Sequence, residues 1–180
     1  MLDTLLDGDV CVRDSANRRN GESRNPPSGT LVLGLGNPLR GDDGVGPRVI
    51  EELTRRGLPD GVMALDVGNA GLDLLNELEG WERTVVIDAA DTGQEPGQFF
   101  RFTLDEARLA MSADSFSLHN TGLSEALALA DALDRALPKI VVFGVQPAEI
   151  GWREGLSPAV EAVLPSLTGA VIEELQKPNS

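Results

Sequence analysis

The sequence predicts an α/β fold, a three-layer α/β/α sandwich on a mostly parallel, mixed five-stranded sheet. Three observations carry that expectation. Four short runs rich in aliphatic and β-branched residues lack apolar–polar alternation, as strands covered on both faces do. Amphipathic stretches of crossover-helix length separate them, which suits parallel strands. A further strand candidate follows its predecessor through a turn-rich connection too short for a helix, so it pairs antiparallel or lies at an edge.

In chain order, Thr30–Leu35 is the first strand, Val62–Asp66 the second and Thr84–Asp88 the third. The edge candidate is Gln98–Thr103, reached through Thr92–Gly97, and Lys139–Val145 completes the set. Helices are expected over Val45–Arg56, Gly71–Leu78, Thr121–Leu137 and Ser157–Leu175. No internal repeat is visible. Residues 29–180 are expected to form a single domain. Residues 1–28 mix five acids and four arginines with few apolar side chains and end in Asn25-Pro26-Pro27-Ser28, a composition that predicts a disordered tail.

Charge and cysteine usage narrow the function classes. The 180 residues carry 15 Lys and Arg against 29 Asp and Glu, a formal net charge of -14. Such a surface repels phosphate backbones and anionic lipid, so neither nucleic acid nor membrane is an expected partner. A lone cysteine, Cys11, offers no intrachain disulfide and no CxxC motif. The start of the chain has no positive, apolar signal segment, and no later run reaches membrane-spanning length. A reducing cytoplasm is the expected compartment.

In open α/β sheets ligands bind outside the carboxyl ends of the strands. After the first strand comes Gly36-Asn37-Pro38-Leu39-Arg40-Gly41-Asp42-Asp43-Gly44, and the third strand ends in Asp88. Acids at neighbouring strand ends repel one another unless a cation joins them, so a cation site is a natural reading. The only histidine, His119, sits in a polar loop before a long helix and is the third ligand candidate. Each residue also has a plainer explanation. Asp42 or Asp43 suits a helix N-cap, Asp88 could accept loop amides, and a lone loop histidine could simply be solvated. A dinucleotide fingerprint fails because Leu39 stands where GxGxxG needs its third glycine. With one histidine, no cysteine beyond Cys11 and no HExxH, serine, cysteine and zincin mechanisms have little support.

The string GLGNPLRGDDGVGPRVIEEL, Gly34 to Leu53, resembles the opening motif of the hydrogenase maturation proteases, nickel-dependent endopeptidases that trim the large subunit of nickel–iron hydrogenases. Asp66-Val67-Gly68-Asn69-Ala70-Gly71, Val86-Ile87-Asp88-Ala89, His119-Asn120-Thr121-Gly122-Leu123, Gly144-Val145-Gln146-Pro147 and Leu156 to Glu161 resemble further family motifs in the same order. The resemblance spans roughly residues 30 to 175 and implies a phosphorylase/hydrolase-like sandwich. Asn69 departs from the family's usual threonine, and the N-terminal tail has no family counterpart.

The same resemblance implies that Asp43, Asp88 and His119 are both the metal-recognising and the catalytic trio. It implies that nickel is supplied by the substrate, already held by the cysteines of the large-subunit precursor, and that no organic cofactor is resident. Two other readings are open. One is a peptidyl-tRNA hydrolase-like esterase, which shares the GLGNP opening but needs a histidine soon after it and a basic surface. The other is a metal-sensing chaperone that binds the precursor without cutting it.

Overall fold

The computed structural model describes residues 29–69, 71–106 and 123–178. The predicted tail, residues 1–28, and His119 lie outside the described residues. Five strands, β1 (Thr30–Leu35), β2 (Val62–Gly68), β3 (Arg83–Ala89), β4 (Phe99–Thr103) and β5 (Lys139–Val145), form one sheet in the order β2-β1-β3-β5-β4. The first three interfaces of that order are parallel, and β4 runs antiparallel to β5 at the edge. The expected mixed sheet is thus present. The short connection from β3 delivers β4 to the edge of the sheet, where its antiparallel partner is β5 rather than β3, because β5 takes the position between them.

Among the described residues, the helices α1 (Val45–Arg56), α2 (Leu74–Leu78), α3 (Leu123–Ala132) and α4 (Pro158–Leu175) flank the sheet. Alternation along the strands divides the core. Leu31, Leu33 and Leu35 of β1, Val86 of β3 and Ile140 and Val142 of β5 pack with the leucines of α2 and with Leu123, Ala126 and Leu127 of α3. Val32, Val85, Ile87, Val141 and Phe143 face the other way, onto Val45, Val49 and Leu53 of α1 and Leu167 and Val171 of α4. Successive strand residues point to opposite faces, and both faces are covered. That accounts for the continuous apolar runs.

The boundaries differ from expectation where local stereochemistry intervenes. The segment from Gly71 begins as a 3-10 turn, Gly71–Asp73, before α2. The third helix stops at Ala132 rather than Leu137. Asp134 adopts a left-handed φ of 52°, and Pro138 disfavours helical backbone at the residue before it. Ser157 is the N-cap of α4, its side chain accepting from the Val160 amide, with Pro158 in the first turn, where its missing N–H costs nothing.

At the amino end of β3, Glu174 of α4 is only 2% exposed and is ringed by cations. Arg83 of β3 and Lys177 pair with it, and Arg101 of β4 donates to both its oxygens at 2.9 Å. These hydrogen bonds, Arg101's foremost, hold its carboxyl at a pKa of about 2 against the ordinary 4.5. The cluster ties α4 to β3 and β4, at the end of the sheet away from Asp43 and Asp88.

Candidate functional site

Close glycine contacts bring the loop after β1 against the end of β3. A Cβ on Gly34 would lie 2.6 Å from the carbonyl oxygen of Gly46. One on Gly46 would meet the Leu35 oxygen at 2.3 Å and the Ile87 oxygen at 2.7 Å. The start of α1 therefore packs directly on the carboxyl ends of β1 and β3, which larger side chains would hold apart. Gly36 has φ 109°, and a Cβ there would fall 1.8 Å from the Asp43 carbonyl oxygen. Only glycine fits both that backbone conformation and that approach.

Within this knot Asp43 is 2% exposed, and one carboxylate oxygen accepts from the Asn37 amide at 2.9 Å. Asn37 in turn accepts from the Leu39 amide through its side chain, closing an Asx turn. Asp42 and Asp43 belong to a 3-10 turn, Asp42–Gly44, that touches β3. Neither caps a helix: the N-cap position of α1 is Gly44, and no side-chain hydrogen bond is made there. The N-cap alternative is therefore corrected for both residues, because each carboxylate points away to a more distant backbone.

Asp88 is the penultimate residue of β3, not a residue beyond it, and is paired in register with Gly144 of β5. It is fully buried. Val86 and Ala90, two positions on either side, belong to the cluster under α2 and α3, so alternation places Asp88 on that same face. The structure thus brings two of the three predicted residues to adjoining strand ends. His119 is outside the described residues, and the chain re-enters them at Leu123, buried in the α2–α3 cluster on the Asp88 face. Among the described residues no three His, Cys, Asp or Glu side chains gather to hold a metal. Oxygen donors from two aspartates with one imidazole would give a mixed O/N set suited to nickel or zinc.

Two residues around the site were not singled out in the sequence for what they do. Asp42, 1% exposed, accepts from the amides of Ala148 and Glu149 at 2.8 and 3.1 Å and from that of Ser157 at 2.6 Å. Gln146 Oε1 accepts from the Thr92 amide and hydroxyl and from the Gln94 amide, while its Nε2 donates to Asp91 and to the Pro147 carbonyl. One fastens the loop after β5 to the Asp43 turn, and the other fastens the loop after β3. Their only sequence signal was membership of the recognised strings, since a partner more than fifty residues away leaves no local pattern.

A mostly parallel sheet with two buried aspartates at adjoining strand ends has the layout in which α/β proteins place their functional sites, at the carboxyl edge of the strands. The family model of the hydrogenase maturation protease matches residues 47–174. The hydrogenase expression/formation protein HupD of Bradyrhizobium diazoefficiens is 42% identical over 140 residues, 76% of this chain and 73% of its own. The hydrogenase 2 maturation protease of Escherichia coli is 31% identical over 148 residues, 82% of this chain and 90% of its own. Among solved structures, the hydrogenase maturating endopeptidase HybD from E. coli superimposes with a TM-score of 0.71 at 30% identity, covering 82% of this chain and 92% of that one.

The chain belongs to the hydrogenase maturation protease family. It is an endopeptidase of hydrogenase maturation, processing the large-subunit precursor. The esterase and chaperone readings are not favoured. No helix among the described residues is long and apolar enough to cross a membrane.

Proposed function

We propose that this endopeptidase removes the C-terminal extension of a large-subunit precursor already loaded with nickel, and that Asp43, Asp88 and His119 recognise the ion. The supporting observation is the pair of buried aspartates on adjoining strand ends, Asp43 in the turn that touches β3 and Asp88 within β3. The fixed Asn37–Asp43 hydrogen bond aims one carboxylate, and withdrawal from water strengthens its attraction for a cation. The nickel is part of the substrate: two aspartates and one imidazole leave coordination positions for the thiolates of the precursor. Cutting then follows completed metal insertion, because an empty precursor offers nothing for the trio to bind. The reaction breaks one peptide C–N bond by addition of water, and the polarised carbonyl must lie beside the trio. A cytoplasmic setting fits the single cysteine.

Mass spectrometry of the precursor after incubation with the full chain tests this reading. Loss of the extension from nickel-loaded precursor, with metal-free precursor left intact, is expected. Equal cutting of both forms would overturn the nickel requirement, and a stable complex without cutting would overturn the proposed reaction.

A further inference from the structure

Beside the site, two distant segments form a small ribbon. Arg153 donates its amide to the Leu39 carbonyl at 3.2 Å, Gly41 donates to the Arg153 carbonyl at 2.9 Å, and Asp42 donates to the Glu149 carbonyl at 3.2 Å. Bridges Arg40↔Arg153 and Gly41↔Ile150 complete it. The ribbon displays two large apolar side chains to solvent, Leu39 at 54% and Trp152 at 84% exposure. Most of the other large apolar side chains of the body are withdrawn into the two core clusters. Arg40 and Arg153 stand next to them in sequence, Arg153 in an exposed pair with Glu149 at 3.4 Å. Arg40 makes no ion pair of 4.0 Å or less among the described residues.

We propose that this ribbon, with Trp152 and Leu39 as its apolar anchors, is the surface on which the precursor protein docks. This rests on the proposed function, which requires a folded protein as substrate, and it adds where that protein is gripped. Three features favour this occupant. The ribbon is continuous with the site, since Asp42 shares its hydrogen bonds and Asp43 is the next residue along the chain. Tryptophan and arginine are the residues that most often dominate protein–protein binding energy. Arginines beside the anchors, on a chain of net charge -14, fit a partner surface that is apolar at its centre and carries carboxylates at its rim. Because the ribbon is clamped by Asp42, it presents its anchors without a large ordering cost.

The test uses the full chain and nickel-loaded precursor. Trp152→Ala and Leu39→Ser should each raise KM about tenfold or more with little change in kcat, and Trp152→Phe should retain most of the affinity. With 5-fluorotryptophan incorporated, the fluorine resonance of Trp152 should shift or broaden on adding precursor, while that of Trp81 should hold. Unchanged KM in both truncated variants, with the wild-type chain still cutting, would overturn the docking surface and leave the function intact. If the wild-type chain does not cut, the function fails separately, and the fluorine titration still decides: a Trp152 response supports docking and its absence overturns it. Light scattering showing that Trp152→Ala dissociates a dimer, with precursor binding unaltered, would reassign the ribbon to a second copy of this chain and overturn the proposal.

Discussion

The carboxylate of Asp42 accepts a 2.6 Å hydrogen bond from the amide of Ser157, the N-cap of α4. The same carboxylate takes the amides of Ala148 and Glu149, so a single side chain satisfies three backbone donors on the segment between β5 and α4. In Asp42→Ala those donors lose a charged acceptor in a buried setting. A loss of about 3 kcal/mol is expected, with a melting temperature lower by roughly 6–12 °C. Calorimetry checks it. A change under 2 °C would show that water replaces the carboxylate at no cost.

Asp43 and Asp88 should behave in the opposite way. Asp43→Asn keeps an acceptor for the Asn37 amide, and Asp88→Asn keeps the shape of a buried side chain, but each removes a charge that binds a cation. His119→Ala removes the only imidazole. Near-native melting with uncut nickel-loaded precursor is expected for all three. Normal cleavage by any one of them would remove that residue from the trio.

Gln146 holds the loop after β3 through three accepted hydrogen bonds. Gln146→Ala should free the Thr92 and Gln94 amides, so that their hydrogen exchange accelerates at least tenfold while amides in β1 change far less. The global cost should be about 1–3 kcal/mol. Unaltered exchange at Thr92 would show that other contacts fix this loop.

Acid should act through Glu174. The cations around it, Arg101 foremost, hold its carboxyl at about 2 in the folded chain, against the ordinary 4.5. Because the folded pKa is depressed, the stabilisation is complete above about pH 4.5 and is lost as pH falls towards 2, amounting to on the order of 3 kcal/mol. Denaturant titrations between pH 6 and pH 2 should show this slope in the wild-type chain. Glu174→Gln should be less stable at neutral pH, with a flatter dependence below pH 4.5. Parallel curves for the two proteins would exclude Glu174 as the titrating group.

The sequence by itself determined the layers. Uninterrupted runs such as Val85-Val86-Ile87 can be buried only between two covering layers, and α1 was legible from Val45, Val49 and Leu53 recurring on one helical face. The antiparallel edge strand followed from a connection too short to cross over. The rule that ligand chemistry gathers at strand carboxyl ends, which needs only the order of elements, pointed to the pair Asp42 and Asp43 and to Asp88 as candidates, and the family resemblance chose Asp43 between the two. What the tertiary structure decided is which carboxylate does what. Asp42 and Asp43 are adjacent and of one chemical type, yet one clamps Ser157 and the other turns to Asn37. Their division depends on the glycine contacts that press α1 onto β1 and β3, and on a segment that β5 brings back across the sheet. Periodicity records how a residue meets its own helix or strand. It carries no record of a hydrogen-bond partner a hundred residues away, which exists only once the sheet has formed.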